Sequence, residues 1–152
     1  MKKHMMRLPV RPLLVGVLLL VSAMLAPLGA RAAELVIIAN PAQSGLDLQA
    51  KDLERIYMGK MSRWDNDEAI VPVMLKGGPV HEAFVESYLD RSPHRFVTYW
   101  RQMIFTGKGT PPKSFASEEE LIAFVAATPG SVGYASAVTG GQDVKVLSIS
   151  QD

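Results

Sequence analysis

The sequence predicts a single α/β layered domain behind a removable leader. Three observations carry that expectation. Glu34 to Ala39 is a short, almost wholly apolar run, the signature of a strand covered on both faces. Four later segments carry apolar residues at helical spacing, most of them bounded by helix start or stop signals. The chain has 152 residues, 48% of them hydrophobic, which suits one ordinary domain with a real core.

The leader comes first. Lys2, Lys3, Arg7 and Arg11 make a basic start, and Leu13 to Leu28 is an apolar run without charge. Ala30-Arg31-Ala32 then supplies the small-x-small pattern of signal-peptidase sites, so residues 1–32 are expected to be a signal peptide cleaved before Ala33. An uncleaved membrane anchor is the alternative. The run ends at Pro27-Leu28-Gly29 and falls short of the ~20 residues a spanning helix needs. A periplasmic, exported domain over residues 33–152 follows.

Removing the leader reverses the charge. Five of the 16 basic residues and none of the 15 acidic ones precede Ala33, leaving eleven against 15, a net −4. Nucleic-acid binding loses its electrostatic support. With no cysteine, a disulfide scaffold, a thiolate metal site and a cysteine nucleophile are excluded.

Behind the first strand, Leu53, Ile56 and Tyr57 recur at i, i+3, i+4 ahead of Gly59, predicting a short helix over Ala50 to Met58. Ile70 to Met74 reads as a strand, with Pro72 arguing for an edge or a strand end. Gly77-Gly78-Pro79 breaks the chain and starts a helix with Val80, Phe84 and Tyr88 on one stripe. Ser92-Pro93 repeats that start, and Phe96, Trp100, Met103 and Ile104 form the next apolar face. Thr106 to Lys113 reads as a loop. Ser117 and Glu120 make a capping box before Leu121, Ile122, Phe124 and Val125. Ser131 to Ala135 and Val144 to Ile149 complete the order β-α-β-α-α-α-β-β. Trp64, Phe84, Trp100, Phe124 and Tyr134 are expected in one core.

One place suits a ligand. Gly77-Gly78-Pro79, between a strand and a helix, would leave backbone N–H groups at a positive helix end, the arrangement an anion prefers. Lys76 and His81 flank it and could add charge. A plain tight turn, the commoner use of a glycine pair, is the favoured reading of these residues on local sequence alone. Other candidates fail on pattern. Gly107-Lys108-Gly109-Thr110 lacks the phosphate-loop spacing, and Gly130-Ser131-Val132-Gly133 is not a nucleophile elbow. His81 and His94 have no ligand cluster nearby, so no metal is expected; they read as an exposed first-turn residue and a helix-start residue. Trp64, Tyr99, Trp100 and Phe105 read as core rather than a ligand shelf. No catalytic constellation, metal or cofactor is expected.

Several stretches together resemble one family. Leu53-Glu54-Arg55-Ile56-Tyr57-Met58-Gly59-Lys60 followed by Trp64, then Ile70-Val71-Pro72-Val73, Phe84 to Leu89, Tyr99-Trp100, Phe105 to Gly109, Pro111-Pro112 and Thr128 to Tyr134 follow its order. The chain resembles the small, single-lobe relatives of the periplasmic phosphate-binding protein of phosphate ABC transporters. The resemblance implies a three-layer α/β fold of the type II periplasmic-binding-protein kind, a mixed sheet flanked by helices. It also implies a non-enzymatic substrate-binding role, possible association with phosphate ABC transport, and an oxyanion at a helix start. Counting back from Phe84, the family's arginine falls on Met74 and its Ser-Gly-Thr run on Gly78, Pro79 and Val80. None of these keeps that side-chain chemistry. The candidate ligand-binding residues are therefore Lys76, Gly77, Gly78, Val80 and His81. An envelope-complex interaction module, docking a protein partner or a second copy on the cleft face, is the alternative function.

Overall fold

The computed structural model describes residues 35–43, 46–138 and 143–150. The leader expected over residues 1–32 and its cleavage site lie outside them. Among the described residues no helix is long and apolar enough to cross a membrane.

The first strand, β1 (Val36–Ala39), is buried along nearly its whole length. After it come β2 (Leu48–Gln49), α1 (Ala50–Tyr57), β3 (Val71–Leu75), α2 (Pro79–Leu89), α3 (Pro93–Phe105), β4 (Lys113–Phe115), α4 (Glu118–Ala127), β5 (Ser131–Ala135), β6 (Lys145–Leu147) and β7 (Ile149–Ser150). Five strands form one sheet in the order β4-β3-β5-β1-β6. β3 runs parallel to β4 and β5, while β1 runs antiparallel to β5 and β6, so the sheet is mixed. β2 and β7 pair separately in a short parallel ladder.

Sequence and structure differ at the short strands. β4 takes the end of the expected loop, β2 precedes the first helix, and the last predicted strand divides at Ser148. β3 is interior rather than an edge. Pro72 is tolerated because β3 bonds β5 at Val71–Pro72 but meets β4 only from Val73 onward, so the missing N–H interrupts no ladder on the β4 side.

β5 sorts the layers, since consecutive residues of a strand face opposite ways. Gly133 faces α4: a Cβ there would come 2.8 Å from Leu121 and 3.3 Å from Val125. Tyr134 faces the other side, stacked on Phe84 of α2 at 3.9 Å between ring centroids, with Tyr57 of α1 6.2 Å away. Helices therefore cover both faces. Asn40 closes one end of the α4 layer, its Nδ2 donating to the Val125 and Ala126 carbonyls at 2.9 Å.

The expected caps form. Ser92 Oγ accepts from Arg95 N–H at the start of α3, and Ser117 Oγ from Glu120 N–H at the start of α4. The expected core needs correction at three apolar positions. Trp64, Phe84, Trp100 and Tyr134 are buried, but Phe124 is only half-buried, packing on Phe115 with the Lys113 ammonium over its ring. Ile104 and Phe105, expected inside, are exposed, because α3 turns only its Phe96–Trp100 side into the core.

Candidate functional site

The predicted site divides into two neighbouring places. β3 ends at Leu75, and the Lys76 N–H still donates to the Phe115 carbonyl at 2.9 Å, continuing the β3–β4 ladder by one residue. The chain then leaves the sheet. Gly78 is the N-cap of α2 at φ 93°, a conformation that favours glycine, and Pro79 occupies the first helical turn. The first main-chain bond of the helix is Glu82 N–H to the Gly78 carbonyl. Above it, the N–H groups of Gly77, Gly78, Val80 and His81 have no hydrogen-bond partner among the described residues.

Those of Gly77, Gly78 and Val80, but not that of His81, border an open cavity of about 200 Å³ lined by Leu75, Gly77, Gly78, Pro79, Val80, Ala116, Ser117 and Glu118. The start of α4 thus meets the start of α2, and two positive helix ends face one space. No basic side chain lines it. Glu118 does, its carboxylate held by Ser136, whose Oγ donates to Oε2 at 2.9 Å and whose N–H donates to the same oxygen. Neither Glu118 nor Ser136 was singled out as a ligand-site residue by sequence; the acidic first turn of α4 has a sufficient explanation in helix electrostatics.

Lys76 and His81 lie instead on an apolar groove on the other side of Leu75, with Met74, Phe96, Val97, Trp100, Arg101, Ile104 and Pro111. His81 corrects the expectation of an exposed first-turn cation. It is 6% exposed, and its Nδ1 lies 2.6 Å from Tyr134 Oη. Tyr134 Oη accepts the Leu75 N–H at 3.0 Å, so its own proton is free to go to His81 Nδ1. Burial holds the imidazole below its ordinary pKa of 6.5 despite the opposing charge of Glu82, and burial pushes the Tyr134 hydroxyl well up. His81 is therefore neutral near pH 7, with Nδ1 accepting and the proton on Nε2. Met74 also lines the groove, and no arginine stands at its position.

His94 lies at the start of α3, as expected, and is exposed. Among the described residues no group of three acidic or histidine side chains is placed to hold a metal.

No family model matches the chain, and no curated protein matches it. Solved structures do. An ABC-type phosphate transport receptor from Vibrio cholerae matches at 20% identity and a TM-score of 0.56, over 78% of this chain and 46% of its own. A putative phosphate ABC transporter substrate-binding protein from Clostridium perfringens, with bound phosphate, matches at 16% identity and a TM-score of 0.60, over 76% and 44%. A possible phosphate-binding protein from Planctomyces limnophilus matches at 18% and 0.53, over 78% and 42%. The likeness is one of fold: a single lobe of the periplasmic-binding-protein-like kind. The chain spans under half the length of each of these proteins.

Proposed function

We propose that this chain is an exported, non-enzymatic binding domain of the oxyanion type, related to phosphate ABC transport, that holds a phosphate-like anion weakly at the start of α2. One observation carries the reading: the three unpartnered N–H groups of Gly77, Gly78 and Val80 on the cavity between the starts of α2 and α4. The fold shared with phosphate-binding proteins supports it. Weakness follows from the lining. With no cation in the cavity, a carboxylate on its wall and one lobe open to solvent, each bond to the anion competes with water. A dissociation constant of about 1 mM or weaker is expected.

Sulfate and phosphate titrations followed by amide chemical shifts test this. Saturable shifts of the Gly77, Gly78 and Val80 amides are expected; flat titrations at those residues overturn the reading. A second reading, an interaction module of an envelope complex, gains from Glu118 on the cavity wall and from His81 turned inward. Export has its own test, a mature form beginning at or near Ala33 by mass spectrometry of the periplasmic fraction.

A further inference from the structure

The groove that receives Lys76 and His81 is a different cavity from the one at the start of α2; Leu75 is the one residue lining both. Its wall on the α3 side is apolar yet uncovered. Val97 and Ile104 are 42% and 55% exposed, and Phe105 beside them is 92% exposed, so among the described residues most of the large exposed hydrophobics sit on this helix. Exposed apolar side chains grouped on one face mark a contact surface more often than those scattered singly.

Charge on α3 and the loop after it has one sign, while Glu82 of α2 acts on His81 from the other side. Between Asp90 and Glu118 the chain carries Arg91, Arg95, Arg101, Lys108 and Lys113 and no acidic residue, in a domain whose net charge after the leader is negative. Arg91 is paired with Glu54, and Lys113 lies over Phe115 and Phe124. Lys76 and Arg101, both exposed on the groove, have no acidic partner among the described residues. Inside the groove, His81 has committed Nδ1 to Tyr134, and its Nε2 has no hydrogen-bond partner among the described residues. The bond chain from Leu75 N–H through Tyr134 Oη to Nδ1 orients the ring and leaves Nε2–H as a donor.

We infer that this groove binds a small organic anion with an apolar body, an aryl carboxylate, sulfonate or phosphate ester. Its ring lies against Val97, Ile104 and Phe96, and its acid group meets Lys76, Arg101 and the Nε2–H of His81. Size selects the class. The groove measures about 210 Å³, and an apolar cavity of ~150 Å³ suffices for benzene. A single aromatic ring fills most of that space, and a bare inorganic anion would leave the apolar wall wet.

The test is an NMR titration of the mature chain with benzenesulfonate, whose charge is constant with pH. Saturable shifts at Lys76, His81, Phe96, Val97, Arg101 and Ile104 are expected, with a dissociation constant of about 1–10 mM for a ligand of this size. Inorganic sulfate and benzyl alcohol, each holding half of the chemistry, should bind the groove several-fold more weakly. Arg101→Glu and Ile104→Asp change exposed positions, so the fold survives; each should weaken benzenesulfonate by at least about threefold. Groove signals unmoved by benzenesulfonate overturn the inference. So does an Arg101→Glu variant that binds equally well, or sulfate shifting the groove as strongly as benzenesulfonate. Phosphatidylglycerol vesicles capturing the protein through Phe105, with the groove silent to benzenesulfonate, would assign the face to a lipid surface instead. Sulfate shifts confined to Gly77–Val80 bear only on the oxyanion site, so the two readings fail separately.

Discussion

Tyr134→Phe removes one oxygen atom and breaks two buried bonds at once. The hydroxyl accepts the Leu75 N–H at 3.0 Å and reaches His81 Nδ1 at 2.6 Å. Phenylalanine keeps the ring that stacks on Phe84, so the packing contribution is nearly unchanged. What is lost is polar. Leu75 is 6% exposed, and its N–H is left without a partner, which costs about 1–3 kcal/mol. His81 Nδ1 loses its donor too. A total of roughly 2–3 kcal/mol follows. In urea denaturation with a slope of about 1.5 kcal/mol/M, the midpoint should fall by roughly 1–2 M at unchanged slope. Because the same bond chain fixes the His81 tautomer, ring-nitrogen chemical shifts should also change from an Nε2–H pattern towards a mixture. A midpoint within about 0.3 M of the parent protein, with the imidazole shifts unaltered, would refute the reasoning.

Three further outcomes are expected. Phe84→Ala should cost about 3–5 kcal/mol by calorimetry or denaturant, since the ring is enclosed between Tyr134 and Tyr57; a loss below ~1 kcal/mol would mean the α2 face is misassigned. Gly130→Ala should destabilise by more than about 2 kcal/mol in the same assay. Gly130 sits at φ 78°, where a side chain costs ~1–2 kcal/mol, and a Cβ there would come 2.3 Å from the Ala69 carbonyl oxygen. Stability should decline as pH falls below 6.5, because the unfolded histidine takes up a proton that buried His81, held below 6.5 by its burial, resists. His81→Gln should flatten that decline relative to the parent by up to about 1.4 kcal/mol per pH unit; parallel pH profiles would refute it.

The same burial removes a sequence-based expectation about ligand binding. An exposed His81 would strengthen anion binding on acidification. A neutral His81 inside the fold does not contribute that charge at mildly acidic pH, so sulfate binding at the α2 start should change little between pH 8 and pH 6.5.

Local chemistry along the chain determined most of the elements. Helix starts were legible because Ser92-Pro93, Gly78-Pro79 and Ser117 with Glu120 satisfy or replace free N–H groups within one turn, and such bonds involve neighbours only. The apolar runs of β1 and β3 were legible because a strand covered on both faces leaves little room for polar residues. The short strands β2, β4 and β7, two or three residues each, carry no period of their own; a partner strand elsewhere in the chain selects them. The face of α2 was read one position off. Val80, Phe84 and Tyr88 form an apolar stripe, but the buried face runs through His81, Phe84, Val85 and Leu89. A histidine hides that stripe, because its polarity is paired only by Tyr134, 53 positions away. The separation of Lys76 from the glycine cavity, and the carboxylate of Glu118 beside it, also depend on β3, α3 and α4 coming together. Periodicity and capping are local and can be read from sequence. Which polar groups meet across the core depends on residues far apart in the chain, and only the tertiary structure decided it.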